Sequence, residues 1–403
     1  MKKRYKLKRA LGLPLIVLFG LGNILGAGIY VLVGEVAGFS GMNTVLAFII
    51  AMIVAAFTAF SYIEFSGRYP VSAGASIYVY EAFKKKWFSL LIGLAMVAGG
   101  IASAGTLALG FAGYLNSLTN IPIVVGSVAL ICLIGVIALK GVGESAKIAS
   151  IFTVIEALGL ILIIWFGREA LGTFEASQLI TIDPKIGFGG IIAGAFLAFY
   201  AFLGFEAMAN LAEESENPRR TMPLAIIIAL AAATFLYLLV VIVATGIVPT
   251  EELAESQAPL TLVFERSGAQ NAIILTFIGM MATINGIILQ IIMASRVLYG
   301  LAKKGWLHNS LTEVHHCYKT PTLATIIVTS AIVIGTLLLP LVSLAQLTSL
   351  IILGIFASVN ISLVVIKKRK VENSSYVSVP IIVPCIGALL CLSMILYQLY
   401  LWL

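Results

Sequence analysis

Uncharged stretches of at least about 18 residues recur from one end of this 403-residue chain to the other, and roughly 20 apolar residues are needed for a helix to cross the hydrocarbon core of a bilayer. That pattern points to an all-α polytopic membrane protein. The weak alternation of a transmembrane barrel, in segments of about 10 residues, is absent. Composition agrees, because charged residues make up only 11% of the chain against about 25% in soluble domains.

The runs predict eleven helices, near residues 11–37, 42–66, 88–114, 121–139, 147–166, 187–211, 222–248, 270–300, 322–339, 343–366 and 377–402. The excess of seven positive charges does not signal nucleic acid, since the basic residues lie in short groups between apolar runs. Their placement sets topology. With the N-terminus in the cytoplasm, all of the 25 Lys and Arg residues except Arg168, Lys185 and Arg266 fall on the inner side, as the positive-inside rule demands. An odd number of helices then leaves the C-terminus outside. Residues 1–10 open with Met1-Lys2-Lys3-Arg4, the charge of a signal peptide, but the following apolar run is too long and has no small-residue cleavage site. They read as a basic cytoplasmic segment before a retained first helix.

Prolines mark several boundaries: Pro122 before predicted helix 4, Pro218 before helix 7, and Pro321 and Pro340 around helix 9, where a missing N–H and a fixed φ are tolerated. The two longest connections, 67–87 and 249–268, are expected to hold some order of their own. Cys132, Cys317, Cys385 and Cys391 show no paired spacing, so neither a disulfide framework nor a metal site is expected.

Two of the predicted helices are interrupted. Gly22-Asn23-Ile24-Leu25-Gly26-Ala27-Gly28-Ile29-Tyr30 sits in the middle of the first and Phe202-Leu203-Gly204-Phe205-Glu206 at similar depth in the sixth. Each glycine costs a helix about 1 kcal/mol relative to Ala. Helices 1 to 5 start inside and helices 6 to 10 start outside, so the breaks occupy corresponding positions in two inverted halves, 11–166 and 187–366, with 377–402 as an additional helix. Interrupted segments so placed mark the binding site of a transporter. The competing reading is packing, since Gly22 and Gly26 also form a small-xxx-small pair.

The two interrupted stretches, together with Pro70-Val71-Ser72-Ala73-Gly74-Ala75-Ser76-Ile77-Tyr78, Glu213-Glu214-Ser215-Glu216-Asn217-Pro218-Arg219-Arg220 and Ser295-Arg296-Val297-Leu298-Tyr299-Gly300-Leu301-Ala302, resemble the marks of the amino acid-polyamine-organocation (APC) superfamily over nearly the whole chain. The resemblance implies a five-plus-five inverted-repeat (LeuT-like) fold, with substrate held between the breaks in helices 1 and 6 and exposed alternately to either side. It also implies that Tyr200 covers the substrate from outside and that Phe202 forms the next turn of the gate. The family usually has twelve helices and this chain has room for about eleven. No oligomeric state follows from the sequence.

The restarted half of helix 1 should carry free N–H groups and partial positive charge at Gly26-Ala27-Gly28, a seat for a carboxylate. The outer half of helix 6 ends near Tyr200 to Leu203 with free carbonyls, which suit an ammonium group. The pair describes the common part of an α-amino acid. Candidate substrate contacts are therefore Ile24, Gly26, Ala27 and Gly28, with Tyr200, Phe202, Leu203, Gly204 and Phe205. The side-chain pocket is expected between helices 3, 6, 8 and 10, with Gly99, Gly100, Ser103 and Ala104 on helix 3. No formal charge is expected there, which favours a neutral side chain over a cationic one.

Acids inside a membrane are costly and mark pathways or relays. Glu35 and Glu64, close to helix ends, read as solvated or capping; Glu156 and Glu206, deeper, read as proton carriers, with Glu206 tying the two breaks together. Sodium coupling, with Ala282 and Thr283 beside helix 1, and obligate exchange are the alternatives. An enzyme is not expected: His308, His315 and His316 share one loop, and no nucleophile–base pair or metal cluster lies within a helix. A channel would show a filter or charged ring instead of two breaks, and a nutrient sensor would be expected to add a soluble signalling segment. The expected partners are an amino acid, a proton or sodium ion and the lipid bilayer, with no cofactor.

Overall fold

The computed structural model describes residues 11–69, 74–141, 146–175, 181–184, 186–212, 215–318, 320–369 and 377–403. The basic segment 1–10, Pro70 to Ala73, Glu213, Glu214, Lys185, Lys319 and Lys370 therefore lie outside the described residues. The described chain is helical, and each of the eleven predicted helices has a counterpart. Among the described residues, eight stretches are long and apolar enough to cross a membrane; one of them, Leu13–Arg68, contains the first two predicted helices, and two shorter apolar helices supply the fifth and ninth.

The first predicted helix is two helices, α1 (Leu13–Leu25) and α2 (Ala27–Ser40), and α3 (Thr44–Arg68) follows. A short α4 (Gly74–Phe83) precedes the long α5 (Lys86–Thr119), then α6 (Ile123–Lys140), α7 (Ala146–Phe166) and a short α8 (Arg168–Thr173). The sixth predicted helix is α9 (Gly187–Ala198), a 3-10 turn Phe199–Phe202, α10 (Phe205–Met208) and a second 3-10 turn Ala209–Leu211. The second half continues with α11 (Pro218–Ile247), two short helices α12 (Thr250–Glu255) and α13 (Pro259–Arg266), α14 (Ile273–Lys303), α15 (Thr322–Leu338) and α16 (Leu341–Lys368); α17 (Ile382–Trp402) ends the chain. Both long connections hold order, as α4, α12 and α13.

Local chemistry places the ends. Pro218 occupies the first turn of α11, Pro321 and Pro340 precede α15 and α16, and Asn120 closes α5 in the left-handed region at φ 58°, a conformation asparagine tolerates better than most residues. Helices in equivalent places of the two halves meet across the middle: α3 packs on α11 and α5 on α14. The interrupted helices lie inside, α1 against α7 and α11, and α2 against α9. This is the five-plus-five inverted-repeat architecture.

One expectation needs correcting. Glu64 is fully buried, not solvated: its carboxylate lies 3.0 Å from Arg68 Nε and 2.7 Å from Lys367 Nζ, and it accepts the Val379 N–H at 2.8 Å. Proximity to a helix end did not expose it, because α16 and the approach to α17 cover that end of α3. A buried carboxylate with two cations and a backbone donor is a joint between three segments.

Candidate functional site

The first break is a single residue. Gly26, at φ −38° and ψ −168°, leaves the helix while its N–H still donates to Gly22 O at 3.0 Å. No side chain caps the start of α2, so its first-turn N–H groups retain their capacity to meet an anion. The second break is longer. Leu203 turns extended at ψ 147° and Gly204 takes φ +127°, a region that L side chains avoid. Glu206 then folds back, and its carboxylate accepts the Gly204 N–H at 2.8 Å. That bond lies within its own break; the expected tie from Glu206 to helix 1 is not the one observed.

The breaks touch through backbone. A Cβ on Gly204 would fall 2.6 Å from the carbonyl carbon and oxygen of Asn23, and one on Gly28 would fall 2.6 Å from Ala201 Cα. Glycine at both positions allows the approach. Tyr237, on α11 and fully buried, supplies the polar tie: its hydroxyl reaches both Ile24 O, in the last turn of α1, and Ala201 O, the latter at 3.0 Å. One hydroxyl proton serves two carbonyls, one from each break.

Between these segments and one end of the bundle runs a cavity of about 460 Å³. Its lining includes Ile24, Gly26, Gly28, Tyr200, Leu203, Gly204 and Glu206 among the expected residues. Phe202 and Phe205 are fully buried elsewhere: Phe202 packs edge-on against Phe48 and Tyr237, and Phe205 against Tyr62 and Phe356. They wedge the break into the bundle and do not line the cavity. The side chain of Ala27 lies outside what the structure describes. Tyr200 is anchored by its hydroxyl, 2.8 Å from Ser103 Oγ on α5.

The wall for a substrate side chain comes from α5, through Met96, Ser103 and Leu107, and from a stripe of α14 running from Gly286 to Leu301, with Lys304 just past its end. At about 1.5 Å per residue that stripe covers roughly 23 Å. No residue of α16 is among the lining residues, so the expected contribution of helix 10 is replaced by the longer α14. Nor is the cavity free of charge: Glu206 lies at its closed end, and Arg296 and Lys304 lie at its mouth, where both are exposed.

Glu156 is fully buried and lies apart from the cavity lining, among α7, α2 and α14. Tyr30 donates its hydroxyl to the backbone carbonyl of Glu156 at 2.6 Å, and Asn285 Nδ2 donates to its Oε1 at 3.4 Å. Its Oε2 has no hydrogen-bond partner among the described residues. Ala282 and Thr283 are buried on α14, with the Thr283 hydroxyl donating to Met280 O of its own helix at 2.7 Å. Sequence reasoning missed Tyr237 and Gln290. An amide inside the apolar run Ile287-Ile288-Leu289-Gln290-Ile291-Ile292 was a visible signal, whereas a tyrosine in a membrane helix was not.

Comparison with known proteins gives the arrangement its context. Residues 11–401 match the amino acid permease family. The chain is 28% identical to the branched-chain amino acid permease BcaP of Bacillus subtilis (strain 168), with 97% of this chain and 88% of that protein aligned. It is 30% identical to the methylthioribose transporter of the same organism over the same shares of the two chains. It is also 30% identical to cationic amino acid transporter 4 of Homo sapiens, over 90% of this chain and 60% of that longer protein. With two broken helices touching through glycine beside a cavity, and with residues 11–401 matched, this chain belongs to the amino acid permease family of multi-pass membrane transporters.

Proposed function

We propose that the protein is a secondary active transporter of the cell membrane that moves a neutral amino acid by alternating access, coupled to protons. The observation that carries this reading is the contact of the two breaks at the closed end of the cavity. There the uncapped N-terminus of α2 suits a carboxylate, the carbonyls of Tyr200 and Leu203 suit an ammonium group, and Gly26, Gly28 and Gly204 let a ligand reach the main chain. Ile24, Ala27, Phe202 and Phe205 shape the same two segments, the last two from behind. Cytoplasmic placement of the N-terminus, and an external C-terminus, follow from the basic groups that gather at the ends of α3, α6, α14 and α16. The cavity then opens inward.

Glu206, in the cavity and bonded to Gly204 N–H, and Glu156, buried with one oxygen unpartnered, are the proposed proton carriers. Arg296 and Lys304 at the mouth oppose a cationic substrate. The test is uptake of labelled amino acids into proteoliposomes under an imposed pH gradient, acid outside, for the wild type and for Glu156→Gln and Glu206→Gln. Uptake driven by the proton gradient and flattened in pH response by either variant is expected. Full pH dependence in both variants would remove the carrier assignment. A sodium-driven or strictly trans-stimulated flux would establish symport with sodium or exchange instead.

A further inference from the structure

Gln290 lines the cavity on α14, and its Oε1 is enclosed without a hydrogen-bond partner among the described residues. A Cβ on Gly100 of α5 would come 3.1 Å from that oxygen, so the absence of a side chain there is what leaves the amide its room. One turn along α5, Ser103 and Tyr200 bring two hydroxyls within 2.8 Å of each other. The neighbouring lining is apolar: Met96, Leu107, Leu289 and Met293.

An enclosed amide atom with no partner is costly, and Leu or Met would fill the same volume without that cost. A partner arriving with the substrate removes the cost. The two breaks suit the substrate's carboxylate and ammonium groups, which leaves its side chain as that partner. The terminal torsion of glutamine is broad and roughly two-fold, so a half-turn offers either carbonyl or amine. Such a group matches a neutral side chain that both donates and accepts.

We infer that Gln290 selects a neutral amino acid carrying a hydroxyl or carboxamide side chain over an aliphatic one of equal size. The inference rests on the reading of the cavity as an amino acid site. Binding to purified protein is to be measured for alanine and for the pairs threonine–valine and asparagine–leucine, in the wild type, Gln290→Leu and Gln290→Met. Roughly tenfold or greater preference for the polar member is expected in the wild type, falling to near unity in both variants. Equal binding of threonine and valine by the wild type, or a preference that survives in a variant still able to bind alanine, would overturn it. If one variant fails to assemble, the other and the wild-type ratio still decide. Should the wild type bind none of the five, alanine included, the reading of the cavity itself has failed; the aliphatic-polar ratio alone concerns Gln290.

Discussion

The first interrupted helix stops for one residue, Gly26, and resumes as a 14-residue helix, whereas the second unwinds from Phe199 and resumes as the four-residue α10 before a further 3-10 turn. The consequence is electrostatic. A helix of three turns or more carries a substantial positive end, and in α2 that end has no side-chain cap. The short α10 has little dipole to offer, and Glu206 already accepts the N–H of Gly204, the residue at its N-cap. In the proposed reading the first break receives an anion and the second presents carbonyls. Their glycines differ in geometry: Gly204 takes a positive φ and would press a Cβ onto Asn23 backbone, whereas Gly26 stays at negative φ with a wider clearance.

That difference can be broken in order of expected effect. Gly204→Ala places a methyl group against the Asn23 backbone in a region of φ that costs about 1–3 kcal/mol on its own, and backbone cannot move aside as a flexible side chain would. We expect a marked fall in apparent melting temperature together with loss of uptake. Retention of both would show that the breaks do not need to touch.

Tyr237→Phe keeps the ring packed on Phe48 and Phe202 but leaves two carbonyls without their donor. A loss of about 1–3 kcal/mol and weaker substrate binding are expected, with Tyr237→Leu worse because it also removes the ring. Equal melting curves and equal binding for the Phe variant would deny the tie between the breaks. Gly26→Ala is the mildest: at φ −38° its Cβ would meet Gly22 O at 3.2 Å, a tight contact but well short of the 2.6 Å approach at Gly204, so a smaller stability loss than that of Gly204→Ala is expected. Its effect should appear as a raised KM, read from uptake at varied substrate concentration. A stability loss as large as that of Gly204→Ala would erase the distinction between the breaks.

Much of this was legible in the chain before any coordinates. Hydrocarbon length and the spacing of charge located eleven helices. The glycines at 26 and 204 located both breaks because glycine weakens a helix and adopts backbone conformations that other residues avoid. Prolines 218, 321 and 340 located helix starts through their missing N–H. The cavity wall was less legible: α14 took the place expected for helix 10, and Arg296 and Lys304 brought charge to a pocket read as neutral. Glu64 was misread for a related reason, since distance from a helix end says nothing about what packs over that end.

By itself the sequence determined that this protein spans a bilayer many times and where two of its helices must open, because those properties are local: run length, backbone freedom and the cost of charge in hydrocarbon. Only the tertiary structure decided that Phe202 and Phe205 face the bundle, that Tyr237 spans the two breaks and that Gln290 lines the cavity with its enclosed oxygen unpaired among the described residues. Those depend on which helices pass beside each residue, a matter of contacts between segments separated by up to a hundred residues or more along the chain, and a polar group's role is set by its neighbours in space.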